Sequence, residues 1–431
     1  MKILLLTHNP VCTYNNMGKT LLSLFSEFGK EELCQLYIQP TTPDTNTCKS
    51  YYQITDKQVL KSLMTFKIPG KIVTQESIED FIIYINNNPS SSFIPKRGSS
   101  SAVSRLARDF MWKISRWNSK NLKSWLDFEA PDCIFLAPGY AKFIYDLALR
   151  ISVDRNIPII SYICDDYYFV NTPDTLLDCY QLYSLKKKID KSMKKTDKLI
   201  AISEGIKNTY GQHFNLDSRV IMTGSNLSVN SKKTLKSTIS DLYYFGNVGA
   251  NRYISLIDIG VVLSEINIEN NSNIKLRIYT AESDKSILEK LNNIDSIHVF
   301  GFVSGQEYEN IFSNADMLVH IEAFDEQSID LVKFSVSTKI ADALASGIPL
   351  LAYGPESVSS IQHLVSNNCA LTATDKKQLK EVLVNGLFNK SVRENVVNNA
   401  IITANRFHNK ANNSKMLKDI IAEVINERTA K

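Results

Sequence analysis

Two glycines and an arginine in the stretch "YFGNVGANR" are spaced to handle phosphate. Gly246 and Gly249 sit in a strand-to-helix turn, where backbone N–H groups can cradle phosphate oxygens, and Arg252 at the helix start can fork two of those oxygens. Further along, Ser335, Ser337 and Thr338 suit a helix N-terminus, whose exposed amides and positive dipole end attract a diphosphate. Asp342 stands about one turn further in, where it can accept hydrogen bonds from sugar hydroxyls. Tyr279 and Thr280 end one strand, and Gly301 and Val303 lead into another turn. An earlier segment, "VCTYNNMGKTLLSLF", contains Gly18-Lys19-Thr20, the last residues of a Walker phosphate loop. Such a loop needs a glycine five positions earlier, where Thr13 stands, so a kinase or ATPase is set aside. Gly18 then either lets a helix pack closely on its strand or lets the loop approach a ligand.

These residues need a scaffold, and the chain repeats a simple one. Short apolar runs, each followed by a stretch of helical spacing, occur at "KILLLT", "CQLYIQ", "CIFLAP", "IPIISYI", "DKLIAIS" and "VIMTG". After the polar linker "SNLSVNSKKTLKSTISD" the pattern restarts with "LYYFGNVG", "IKLRIYT", "IHVFGFV", "MLVHIEAF", "IPLLAYG" and "CALTA". This alternation builds parallel sheets covered by helices on both faces, so the expected architecture is α/β with two doubly wound, Rossmann-like domains facing across a cleft. The expected domains are residues 1–230 and 231–405, with a C-terminal helix over 406–431 crossing back to the first domain.

With 431 residues, a formal charge of +4 and 22% charged residues, the chain has no composition that demands nucleic acid. Seven scattered cysteines without a CxxC pattern lead to an expectation of reduced thiols and a cytoplasmic protein, and no apolar run reaches membrane-spanning length. Membrane contact, if any, is then peripheral.

The order "GNVGANR", "VFGFV", "ADMLVHIEAF", "STKIADALASGIPLLAYGP" resembles the donor-binding half of GT-B glycosyltransferases, specifically the retaining type of glycosyltransferase family four. In that family an acid precedes a Gly by five positions and a Pro by seven; Asp342, Gly347 and Pro349 match, with Asp replacing the usual Glu. Asn247 occupies a usual Arg position and Arg252 a usual Lys position, with Lys333 or Lys339 available for the missing contact. Glu322 is the candidate for the first acid of the family's pair, although by residue type alone it is equally an exposed strand-end acid. The resemblance implies a donor-binding set of Gly18, Gly246, Asn247, Gly249, Arg252, Tyr279, Thr280, Val303, Ser337, Thr338, Lys339 and Asp342. It implies Asp342, Glu322, Arg252 and one of Asp165 and Asp166 as the residues acting on the sugars. It also implies retention of anomeric configuration, no metal and no cofactor beyond a nucleotide-diphosphate sugar donor. Expected acceptors are a saccharide or a lipid-linked saccharide, in surface polysaccharide or glycolipid synthesis. A sugar-nucleotide epimerase and a non-catalytic sugar-nucleotide-binding relative are the rivals. His320, inside the strand "MLVHI", reads as a core histidine rather than a base.

One stretch falls outside this scheme. "SAVSRLARDFMWKISRWNSKNLKSW" mixes cations with bulky aromatics around a single acid, Asp109. Val103, Ala107, Phe110, Ile114 and Trp117 share one helical face. Either that face turns to the core, or the segment 102–125 docks on an anionic membrane surface together with the lysines of "SLKKKIDKSMKKTDK".

Overall fold

The computed structural model describes residues 1–65, 67–87, 101–170, 175–227 and 235–430. The chain forms two compact units, Met1–Thr223 together with Lys410–Lys431, and Gly224–Asn409. Part of the linker expected at residues 225–240, namely 228–234, lies outside the described residues.

The first unit runs β1 (Ile3–Thr7), α1 (Asn16–Leu24), β2 (Leu33–Tyr37), β3 (Ser50–Gln53), α2 (Asp56–Thr65), β4 (Lys71–Val73), α3 (Gln75–Asn87), α4 (Ala102–Ile114), α5 (Lys120–Glu129), β5 (Cys133–Ala137), α6 (Lys142–Arg155), β6 (Ile159–Ile163), α7 (Leu176–Met193), β7 (Thr196–Ala201), α8 (Glu204–Phe214) and β8 (Ser218–Val220). Its eight strands lie in the order β4-β3-β2-β1-β5-β6-β7-β8. Every residue of β1 is buried, and Ile3 pairs with Leu33 on one side and Cys133 on the other. A strand covered on both faces carries an unbroken apolar run, which is why "ILLLT" shows no alternation. The order reverses between β1 and β5, the point where the loops after the strands diverge and leave room for ligand.

The second unit runs β9 (Asp241–Phe245), α9 (Arg252–Asn270), β10 (Lys275–Tyr279), α10 (Lys285–Asn292), β11 (Ile297–Phe300), α11 (Gly305–Ser313), β12 (Met317–Ile321), α12 (Glu326–Val332), α13 (Thr338–Ala345), β13 (Leu350–Tyr353), α14 (Ser359–Ser366), β14 (Leu371–Ala373), α15 (Lys376–Phe388) and α16 (Lys390–Phe407). Its sheet, β11-β10-β9-β12-β13-β14, is parallel throughout and reverses between β9 and β12. Leu242, Ile278, Val319 and Leu351 from the strands pack with Leu256, Leu263 and Leu379 of α9 and α15 in one core. The last helix, α17 (Lys410–Thr429), belongs to the first unit: Asn413 donates to the Met222 carbonyl at 2.9 Å, and Lys418 pairs with Glu32 at 2.7 Å.

Two details differ from expectation, and a third decides an alternative the sequence left open. The run "VIMTG" contributes only Val220 to a strand; Ile221 stays buried and makes the last backbone bond to β7, donating to the Ala201 carbonyl. Strands β3 and β4 extend the first sheet, and β4 is antiparallel, pairing Val73 with Tyr51. The apolar face of α4 does not turn to the core. Val103 is 66% exposed, Phe110 63% and Ile114 50%, while Trp112 on the opposite side is buried against Phe143. A large ring filling a gap between helices fixed the orientation, not the longer apolar stripe. Among the described residues no helix is long and apolar enough to cross a membrane.

Candidate functional site

Arg252 and Glu322 meet at the switch point of the second sheet. Glu322 follows β12 directly, and Arg252 opens the helix after β9, the neighbouring strand. The Arg252 guanidinium places Nε at 2.9 Å and a terminal nitrogen at 2.8 Å from one Glu322 oxygen, Oε2. Glu322 is no exposed strand-end acid; it is 5% exposed. Ser255 holds its carbonyl at 2.8 Å, and its amide donates to the Tyr353 carbonyl at 2.9 Å. Gly354 leaves space beside it, since a Cβ there would lie 3.0 Å from the Glu322 Cβ. Burial outweighs the attraction of Arg252 and pushes the Glu322 carboxyl above the usual carboxylate range. Glu322 therefore acts on Arg252: it fixes the aim of the guanidinium.

Around this pair the second unit gathers hydrogen-bond donors. The turn after β9 is tight: Asn247 Oδ1 accepts from the Gly249 amide at 2.6 Å, and the Tyr244 hydroxyl donates to the Asn247 carbonyl at 2.7 Å. Ala250 and Asn251 both adopt left-handed backbone angles, with φ of 51° and 55°. Two such non-glycine residues in a row are costly and are retained where a loop shape matters. The amide of Gly246 is held by the Tyr279 carbonyl at 3.0 Å. Lys339 lies over this turn, donating to the Phe245 carbonyl at 2.8 Å, and a Cβ on Gly246 would come within 3.2 Å of its Nζ. Helices α9, α11, α13 and α14 start without a side-chain cap, although Ser304 and Ser337 occupy the capping positions of α11 and α13; α10, α12, α15 and α16 are capped by Asp or Asn. The first three amides of α9 donate instead to the carbonyls of Gly249, Val248 and Asn251, and the first of α14 to Lys333, so of α9, α13 and α14 it is the α13 amides of Thr338 and Lys339 that can face an anion.

The remaining predicted residues have defined places. Asp342 Oδ1 accepts from Ser225 Oγ at 2.6 Å, and with burial it raises the Tyr308 phenol. Thr280 is buried and its hydroxyl accepts from the Glu282 amide, and Val303 is half-buried in the loop after β11. Thr338 is the first residue of α13. Lys333 ends α12 with its Nζ 5.6 Å from the Phe334 ring centre. Ser225, Ser255 and Ser360 carried no sequence signal; single serines have no spacing to read.

Gly18, Asp165 and Asp166 belong to the first unit, Gly18 in the first turn of α1 and the two aspartates just after β6. A Cβ on Gly18 would lie 2.5 Å from the Cys12 carbonyl oxygen, so this position is occupied by the chain's own turn. Asp166 Oδ1 accepts from the Tyr210 hydroxyl and from the amides of Tyr168 and Phe169, all within 2.9 Å, which makes it the organiser of its loop. Asp165 is half-buried beside Tyr167, whose hydroxyl donates to it at 3.1 Å. Tyr167 in turn packs edge-on at 4.2 Å against Tyr140, which is 58% exposed. Among the described residues no cluster of three or more His, Cys, Asp or Glu side chains could hold a metal ion.

His320 gives this site a pH signature. It is buried, with Nε2 3.1 Å from Ser360 Oγ, and desolvation, with Arg252 and Lys339 nearby, depresses it from 6.5 to about 3. A folded-state pKa below the unfolded value stabilises the protein above pH 6.5 and is lost as pH falls from there toward 3. His363, buried against His408, is depressed to about 3 and acts in the same window. Glu322, raised, has the opposite sign. Unfolding free energy is expected to fall on acidification, with His320 contributing about 1.4 kcal/mol per pH unit. Chemical denaturation across pH 6.5 to 4.5 of the wild type and His320→Gln checks this; identical slopes would place the proton elsewhere.

No family model and no curated protein sequence matches the chain. Its fold is matched by solved structures. It is similar to Anabaena Alr3699/HepE in complex with UDP and glucose, with 10% identity, a TM-score of 0.62, and 98% of this chain and 100% of that one covered. Sucrose-phosphate synthase from Thermosynechococcus elongatus gives 11% identity and a TM-score of 0.62 over 99% and 100%. WaaG, a glycosyltransferase involved in lipopolysaccharide biosynthesis, gives 14% and 0.56 over 98% and 99%. These are GT-B glycosyltransferases, and the chain has the GT-B fold.

Proposed function

We propose that this chain is a glycosyltransferase that moves a sugar from a nucleoside-diphosphate sugar to a hydroxyl acceptor. The observation that carries the reading is the Arg252 guanidinium, paired with the buried Glu322 at the switch point of a sheet whose helix α13 starts without a side-chain cap. Glycosyl transfer develops positive charge on the sugar and negative charge on the departing diphosphate, so fixed positive potential must stand where the leaving charge grows. Arg252, Lys339 and the first amides of α13 supply it. Asp342 and Ser225 receive the hydroxyls of the nucleotide's sugar, and the strand end at Tyr279 and Thr280 and the loop at Val303 receive the base.

Transfer proceeds with retention: the acceptor oxygen bonds to the anomeric carbon on the face the diphosphate leaves, and the leaving phosphate takes the acceptor's proton. No protein base is needed, consistent with a neutral His320. In the first unit Asp165, with Tyr167 and Tyr140, offers a carboxylate and apolar ring faces, the combination that binds a saccharide acceptor. The setting is cytoplasmic, in assembly of a surface polysaccharide or glycolipid, with a lipid-linked saccharide as the acceptor class.

HepE has been seen with UDP and with UDP-glucose, so uridine donors are tested first. Thermal denaturation with UDP, UDP-glucose and other sugar nucleotides is expected to show a raised melting temperature for at least one. A ligand at a hundred times its Kd stabilises the folded state by about 2.7 kcal/mol. A screen in which no nucleotide or sugar nucleotide moves the transition would end this reading.

A further inference from the structure

Helix α4 leaves its apolar stripe in water and docks through Trp112 and ion pairs. Three of its four charges pair with neighbouring helices, Arg105 with Asp178 of α7, Arg108 with Asp56 of α2 at 3.0 Å and Asp109 with Lys142 of α6 at 2.8 Å, while Lys113 faces solvent. Trp112 is 1% exposed, stacked on Phe143 at 3.8 Å with its Nε1 donating to Asp56 at 2.7 Å. The outward stripe, Val103, Ala107, Phe110 and Ile114, is uniformly apolar and exposed. A polar helix docked through tryptophan and ion pairs, with its aliphatic and aromatic stripe in water, has left the hydrophobic gain of that stripe to something else.

The neighbouring α7 repeats the pattern. Positions 176, 180 and 183, one stripe at helical spacing, are Leu176, Tyr180 and Tyr183, exposed by 90%, 56% and 56%. The same stripe continues as Lys187 and Lys191, both exposed, and Lys187 reaches back over the Tyr183 ring at 4.5 Å. It carries no carboxylate. Helix α2, which also packs on α4, exposes Met64 by 74% beside Lys57 and Lys61. Apolar tips, then tyrosines, then lysines without acids is the gradient met on crossing from acyl chains through headgroups to an anionic surface. A protein partner's face would ask for no such order of side chains.

We infer that α4 and α7 lie on an anionic lipid bilayer, with Phe110, Ile114 and Leu176 entering the acyl boundary and Lys187 and Lys191 meeting lipid phosphates. The inference rests on the transferase reading for its purpose, access to a lipid-linked acceptor, and on the two helices alone for the binding itself.

Flotation of the full chain with phosphatidylcholine vesicles, and with vesicles containing phosphatidylglycerol, tests it. Binding is expected only with the anionic lipid and is expected to weaken with salt. Lys187→Gln with Lys191→Gln is expected to weaken partition roughly thirtyfold. Phe110→Ser with Leu176→Ser is expected to weaken it on the order of a hundredfold while leaving the lysines in place. These positions are exposed, so both variants are expected to keep the wild-type melting temperature and its shift with UDP-glucose. No flotation, binding indifferent to lipid charge, or binding unchanged in both variants overturns the inference. So does a dimer in sedimentation that the Phe110 and Leu176 variant dissociates without vesicle binding in the wild type. A chain that floats as expected but takes no sugar nucleotide sinks the transferase reading and leaves the bilayer face standing.

Discussion

Arg252→Ala is expected to weaken binding of the sugar-nucleotide donor by on the order of 2 kcal/mol, roughly thirtyfold in Kd, because a charge-assisted fork to the diphosphate is lost. The same change strands Glu322. With 5% exposure and no guanidinium at 2.9 and 2.8 Å, the buried carboxyl loses the partner that favours its charge and is pushed further upward. Breaking a buried pair by removing one partner costs about 3–5 kcal/mol, so the variant is also expected to melt earlier. Glu322→Gln separates the two effects. It keeps the volume and an acceptor for Arg252 but removes the charge that aims it, so donor affinity is expected to fall while the fold is retained. Arg252→Lys is expected to restore the charge and little of the affinity, since an ammonium cannot reproduce the fork. Calorimetric titration of the three variants with UDP and UDP-glucose checks this; donor binding in Arg252→Ala equal to wild type removes Arg252 from the site.

The parts of the fold that were legible are those whose sequence reports burial on both faces. Ile3–Thr7 and Cys133–Ala137 are unbroken apolar runs because helices cover the sheet above and below. Ser50–Gln53 and Lys71–Val73 were not legible. Lys71–Val73 is the edge strand and Ser50–Gln53 lies next to it; both are short and hold the sheet by backbone hydrogen bonds that any residue supplies. "VIMTG" misled in the other direction: Met222 is 5% exposed, yet the strand ends at Val220, because burial does not say that a backbone continues a strand. In α4 the periodicity located an apolar stripe correctly, but a stripe defines a face without saying which way it turns. Trp112 decided that, through Phe143 and Asp56, and both contacts lie far away in the chain.

The site was legible residue by residue and opaque as a set of contacts. Arg252 and Glu322 are seventy positions apart, and only the adjacency of β9 and β12 joins them. Arg252 reads from the sequence as a phosphate ligand and Glu322 as a sugar-facing acid; their pairing gives Glu322 a positioning role that spacing does not encode. Asp342 similarly meets Ser225 across 117 positions, where the chain enters the second unit. Asp165 and Asp166 are adjacent and identical in type, and nothing local distinguishes them. Three hydrogen bonds commit Asp166 to its own loop, while Asp165 stands beside Tyr167 and Tyr140.

Gly18→Ala is expected to destabilise the chain by about 1–3 kcal/mol, against the usual gain of up to about 1 kcal/mol when a helical glycine becomes alanine. A Cβ at Gly18 would lie 2.4 Å from Cys12 Sγ, 2.5 Å from its carbonyl oxygen and 2.8 Å from its amide nitrogen, so two of the three clashes are with backbone. The turn cannot step aside easily. Asn15 ties it to the helix, accepting from the Gly18 amide at 2.7 Å and donating to Cys12 Sγ at 2.8 Å. Its outer residues are held by Gln35, which accepts from the Val11 amide at 3.0 Å, and by Asp44, which accepts from the Thr13 amide at 2.9 Å. Thermal denaturation gives the sign directly: a lowered melting temperature means the turn is as rigid as these bonds imply, and a raised one means it yields and Gly18 serves something other than packing. Lys19→Ala completes the test. Its side chain is exposed, and a phosphate loop would lose nucleotide affinity with it, whereas a helix that merely packs through Gly18 is expected to keep both stability and donor binding unchanged.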